Sequence, residues 1–91
     1  MTLPLNAKER KAIPVYSGFI KYFPDAIVAV AKVSYAGNEQ HNPGTALHWD
    51  RTKSKDELDA MMRHVIDGDW AAVAWRAMAN LQKECENERT N

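Results

Sequence analysis

Two histidines, two asparagines, a glutamate, a tryptophan and an aspartate crowd into residues 37–51, which read GNEQHNPGTALHWDR, and Asp59, Arg63 and His64 follow within a few turns. A simple connector is built from Gly, Ser, Pro and Asn, with little His or Trp. Binding and catalytic groups concentrate on loops carried by a rigid scaffold, so this stretch is the first candidate for chemistry. Hard divalent cations such as magnesium take carboxylate oxygens and usually keep waters and substrate phosphates as further ligands. Glu39, Asp59 and Asp67, with Asp69 one step beyond, can supply such a set. The imidazoles of His41, His48 and His64 suit a transition metal or proton transfer instead. Arg63 offers a planar fork for phosphate, and Arg76 can bind phosphate or pair with Glu39. The chain carries no His-Glu-x-x-His element and no glycine-rich phosphate loop, so these spacings are no metal or phosphate signature on their own.

Helices must position these groups. Ser54 with Glu57 three residues later matches a capping box, and Leu58, Met61, Met62, Val65 and Ile66 follow with the spacing of a buried face. At 100° per residue, Asp56, Asp59, Arg63 and Asp67 fall in one narrow arc opposite that face, with His64 at its edge. Asp59 and Arg63 stand one turn apart and can pair. The plain reading of such an arc is a solvated charged surface. Upstream, Pro24 and Asp25 mark a helix start, and Ile27, Val28, Val30, Ala31 and Val33 carry an apolar stripe to about Gly37. Gly37 and Asn42-Pro43-Gly44 then break the chain and bound the polar loop. Gly68 stops this second helix or bends its path. A further helix runs from Trp70 to about Glu86, rich in alanine, which permits close approach of neighbours. Residues 15–23, with Tyr16, Phe19, Tyr22 and Phe23, suit one or two helical turns laid over a core, or an extended segment. The pattern predicts an all-α domain of three main helices plus a short N-terminal helical segment. It spans residues 13–86, between a flexible, uncapped arm (1–12) and a frayed tail (87–91).

Ninety-one residues make one small domain, which buries roughly 60–65% of its unfolded surface. A hydrophobic content of 45% is ample for a core, and three tryptophans with four methionines suggest apolar area shared between subunits of a homo-oligomer. Twelve basic residues balance twelve acidic ones, which argues against a dedicated DNA or RNA binder. No apolar run is long enough to cross a bilayer, and no signal peptide opens the chain, so no membrane partner is expected. The lone Cys85, with nothing but Lys83 nearby to lower its pKa, reads as inert and fits a reducing cytoplasm.

Six ordered segments carry a resemblance: residues 10–14 (RKAIP), 22–26 (YFPDA), 37–44 (GNEQHNPG), 47–51 (LHWDR), 59–64 (DAMMRH) and 74–77 (AWRA). Together they look like the bacteriophage dATP/dGTP diphosphohydrolase N-terminal domain family, and the likeness covers nearly the whole chain. The resemblance implies an α-helical pyrophosphohydrolase that cleaves a purine deoxynucleoside triphosphate to a monophosphate and pyrophosphate, with magnesium (or manganese) as cofactor, in the host cytoplasm. It implies Glu39, Asp59 and Asp67 as metal ligands, and His41, His64 and Arg63 in phosphate contact or proton transfer. Trp49 and Asn42 would then stack on or hydrogen-bond the base, with His48, Arg51 and Arg76 among the substrate contacts.

One departure bears on activity. Relatives have a longer connection after the Arg-His pair, ending in a further histidine; here Asp67-Gly68-Asp69-Trp70 is short, and Asp69 stands where that histidine would be. An aspartate can still hold a metal. Equally, the shortening fits a non-catalytic protein that sequesters a nucleotide or cyclic nucleotide. A third reading is a structural module whose loop histidines bond only backbone. Trp70 and Trp75 read more readily as core or interface than as base platforms, given the area they bury.

Overall fold

The computed structural model describes residues 3–52 and 55–90. Four α-helices follow in order: α1 (Ala7–Lys11), α2 (Pro24–His41), α3 (Glu57–Asp67) and α4 (Trp70–Thr90), with a π-helical turn (Tyr16–Ile20) between the first two. Among the described residues there is no strand. The all-α pattern is therefore as the sequence predicts. Among the same residues no helix is long and apolar enough to cross a membrane.

Several boundaries differ from the sequence reading, each for a local reason. Within the supposed arm, Asn6 caps α1: its Oδ1 accepts from Lys8 N at 2.8 Å and Glu9 N at 3.2 Å. The π-helical turn closes through Ile20 N to Val15 O (3.1 Å) and Lys21 N to Tyr16 O (2.8 Å). Gly18 is needed there, because a Cβ at that position would lie 2.8 Å from Pro14 Cγ. Helix α2 starts at Pro24 as expected but runs a full turn past Gly37, so Glu39, Gln40 and His41 are helical. A mid-helix glycine weakens a helix by only about 0.5–1 kcal/mol. The effective stop is Asn42, since a residue before proline is steered out of the α region. Residues 42–45 then form a turn with Pro43 second and Gly44 third at φ +79°, a type II pattern, closed by Thr45 N to Asn42 O at 3.2 Å. The Ser54 capping box lies outside the described residues, and α3 begins later, at Glu57. Gly68, in the left-handed region at φ +72°, ends α3 as expected. Helix α4 continues to Thr90, so the polar end predicted to fray is helical.

Both α2 and α3 pack against α4, which is the spine of the fold. Helix α3 is turned from its expected orientation. Its inward side holds Glu57, Ala60, Met61, His64 and Val65, whereas Leu58, Met62 and Ile66 lie outward at 66%, 49% and 84% exposure. The rotation is roughly 100°, one residue's step around the helix. Polar contacts explain it. The Glu57 carboxylate receives Arg76 Nη1 at 3.2 Å and Lys83 Nζ at 3.3 Å, both from α4. His64 Nδ1 lies 3.5 Å from Asp69 Oδ2 at the start of α4, and the small Ala60 and Ala72 are both buried in their helices. Burial by itself would push the Glu57 carboxyl up, but the Arg76 and Lys83 hydrogen bonds outweigh it and hold the group below its ordinary 4.5. The core expected from a 45% hydrophobic chain is not assembled within one copy. Among the described residues the buried apolar ones are Ala60, Ala72 and Ala79, and no large side chain is fully buried.

Two predictions follow from these ties. Gly68→Ala forces a side chain into the left-handed region and removes about 1 kcal/mol, lowering Tm by roughly 4–8 °C. A melt unchanged by the substitution would show that the turn does not depend on positive φ. Glu57→Gln lowers stability by about 1–3 kcal/mol at pH 7, because two partly buried cations lose their carboxylate. Since the folded Glu57 pKa lies below its unfolded value, its contribution is complete above about 4.5 and fades as pH falls through the folded value. The gap between the two proteins, read by urea melts at a series of pH values, narrows in acid.

Candidate functional site

A cleft of about 590 Å³ opens between α2, the loop after it, the start of α3 and the first turns of α4. The extension of α2 decides its composition. Ser34, Gly37, Asn38 and His41 recur at i, i+3, i+4 and i+7, so one helix face lines the cleft from end to end. The loop adds Asn42, His48, Trp49 and Asp50; the approach to α3 adds Lys55, Asp56 and Glu57; and α4 contributes Asp69, Trp75 and Arg76 beside His64 of α3. All three histidines of the chain meet at one cavity.

Trp75 holds the walls together. Its Nε1 donates to Ser34 Oγ at 2.6 Å, tying α4 to α2. Its ring meets Trp49 edge to face, with centroids 5.7 Å apart and planes at 76°. Arg51 lies over the other tryptophan, Trp49, with Cζ 4.1 Å from the ring centroid. Its guanidinium forks onto Glu86 of α4 at 2.8 and 2.9 Å, a pairing that raises the Arg51 pKa further. The loop is thereby clamped to α4 by Arg51 and Trp49. Both residues, expected to contact substrate, serve first as wall and clamp.

The histidines keep a ring nitrogen for other work. His48 Nδ1 sits 3.0 Å from the Ala46 carbonyl oxygen, which can only accept, so Nδ1 carries the proton and Nε2 is the remaining site. His64 turns Nδ1 to Asp69. Asp69 also accepts from Ala72 N at 3.4 Å through Oδ1, a capping contact at the start of α4. Asp69 thus orients His64 and caps a helix.

The most informative atom is one that the sequence reading passed over. Asn38 is only 6% exposed, and its Nδ2 donates to the Thr45 carbonyl at 3.2 Å. That donation fixes which end of the amide is oxygen. Among the described residues, Asn38 Oδ1 is buried without a hydrogen-bond partner. A buried acceptor left unsatisfied costs about 1–3 kcal/mol, so such atoms mark places where a donor arrives. Asn38 was missed because α2 was ended at Gly37, and only a continuous helix puts Asn38 on the face of Ser34 and His41.

The expected metal set is not assembled in one chain. Asp69 lines the cleft, whereas Glu39, Asp59 and Asp67 do not. Glu39 lies roughly 100° around α2 from Asn38. Among the described residues no group of three or more His, Cys, Asp or Glu converges as a metal site. The carboxylates that do line the cleft are engaged elsewhere: Asp50 with Thr52 (2.7 Å), Asp56 with Arg63 (2.9 Å), Glu57 with Arg76 and Lys83, and Asp69 as above. Arg63 pairs with Asp56, one turn back from the expected Asp59, at the rim of the cleft that Asp56 lines and Arg63 does not. Arg76 lines the cleft but binds Glu57 rather than Glu39. Of the candidate substrate contacts, His41, Asn42, His48, Trp49 and Arg76 are brought together with His64, and Arg51 stands behind them. Comparison with family models, with curated proteins and with solved structures finds no match to this chain.

Proposed function

We propose that the cleft binds a purine nucleotide without cleaving it. The observation that carries this reading is the buried Asn38 Oδ1, an acceptor without a partner in a cavity that also gathers three imidazoles, Lys55 and a tryptophan wall. An acceptor of that kind recognises an N–H group, as the exocyclic amine or ring N–H of a purine provides. A site built to bond such a donor rejects analogues that lack it. Lys55 offers a cationic donor for the phosphate end, and the cleft volume suits a ligand of this size. The dispersal of Glu39, Asp59 and Asp67 is what favours binding over the metal-dependent hydrolysis implied by the resemblance. Among the described residues the carboxylates do not converge as the magnesium set that the resemblance implies.

Calorimetry and thermal shift with dATP, dGTP and an unsubstituted purine nucleoside triphosphate test the reading. At a hundred times its Kd, a bound nucleotide adds about 2.7 kcal/mol of stability. The unsubstituted purine, which offers no N–H on its base edge, should bind about tenfold more weakly, and Asn38→Leu should erase the difference between the ligands. Equal affinity for all three would remove Asn38 from recognition. Absence of any shift would end the proposal, and magnesium-dependent release of pyrophosphate would replace it with the hydrolase reading.

A further inference from the structure

Charge is spread unevenly around the cleft. The α2 wall, with Ser34, Asn38 and Gln40, carries no carboxylate, ammonium or guanidinium. Among the described lining residues, every such group comes from the loop, the approach to α3 and the first residues of the two later helices. They are Asp50, Asp56, Glu57 and Asp69 against Lys55 and Arg76, four carboxylates facing two cations. Arg63 and Lys83, which stand outside the lining and pair with Asp56 and Glu57, bring the balance only to neutrality. On the far side of Trp75 lies a second concavity, a groove of about 730 Å³ between the π-helical turn, α2 and α4, whose described lining has no ionisable residue. The charged wall is therefore particular to the cleft.

A ligand bearing phosphate meets few uncommitted cations there. Arg76 Nη1 is bonded to Glu57 at 3.2 Å, whereas among the described residues Lys55 takes part in no ion pair. His48 adds no donor: with the proton on Nδ1, its Nε2 presents a lone pair, which accepts from a sugar hydroxyl and repels a phosphate oxygen. His64 turns its Nδ1 to Asp69 at 3.5 Å.

We propose that the cleft selects a purine nucleoside monophosphate against the di- and triphosphate, an inference that rests on the purine-nucleotide reading above. A base anchored at Asn38 leaves its phosphate to Lys55, whose single ammonium matches one phosphate group of about −1.5 to −2 charge. Each further phosphate brings more negative charge against Asp50, Asp56 and Asp69, with no spare side-chain cation among the described lining residues to meet it. Repulsive groups placed in this way let a site discriminate between ligands that share the same attractive contacts.

Titration calorimetry of the full chain in magnesium-free buffer, with dAMP, dADP and dATP and with the matching guanine series, tests the selection. Affinity should fall in that order, the monophosphate binding about tenfold more tightly than the triphosphate. In 1 M salt, where the Debye length shrinks to about 3 Å, the gap should close to about twofold. Asp56→Asn, which removes a lining carboxylate and releases Arg63, should narrow the gap by tightening dATP binding. Lys55→Gln should weaken dAMP binding about tenfold. A triphosphate that binds as tightly as its monophosphate overturns the inference and leaves nucleotide binding standing. So does a gap that neither salt nor Asp56→Asn changes, or dAMP binding that Lys55→Gln leaves as it was. No binding in either series ends the nucleotide reading itself, and this inference with it.

Discussion

The indole of Trp75 is the contact on which the arrangement depends. Its N–H reaches Ser34 on α2, its ring edge meets Trp49 in the loop, and its backbone belongs to α4. Three segments far apart in sequence are fixed by one side chain, and the two concavities of the chain lie on either side of it. Ser34, Trp49 and Trp75 line both. In a protein with so little buried apolar volume, such a multi-partner residue does what a core would do elsewhere. The Arg51–Glu86 fork and the Glu57 bridge extend the same logic to the loop and to α3.

Polar contacts, rather than apolar periodicity, set the orientation of α3. Apolar spacing alone would turn Leu58, Met62 and Ile66 inward. Instead Glu57, with a carboxyl held ionised by two cations of α4, and His64, facing Asp69, claim the inner side. A partly buried carboxylate with two cationic partners is expensive to leave unpaired. Outward exposure of three aliphatic side chains costs less, and less again where another molecule covers them.

The sequence made the helical class, the Pro24 start, the Gly68 stop and the Asn42–Pro43–Gly44 break readable, because each rests on local backbone chemistry. His41, His48 and His64 stood out by their crowding around one loop and all line the cleft, whereas the acidic arc of α3 read beside them faces outward. The end of α2 was not legible at Gly37, which is a weak breaker; the helix runs on to the Asn42–Pro43 stop. Asn38 was hidden for the same reason. The pairing of Arg63 with Asp56 rather than Asp59 turns on where α3 begins. The metal set failed to assemble because helical register places Glu39 on a different face of α2 from His41, and Asp59 and Asp67 on the outer side of α3.

Two residues, Gly68 and Asp69, separate α3 from α4, whereas α2 joins α4 only after the chain has closed a loop of nearly thirty residues. Closing the longer loop carries the larger entropy loss, so the α3–α4 hairpin is the local unit and α2 docks onto it. The cleft lies along that later seam. Amide exchange should therefore divide the molecule in two, with α2 undocking as a sub-global opening while the hairpin stays protected, so that access to the buried amide of Asn38 is governed by a breathing motion cheaper than unfolding.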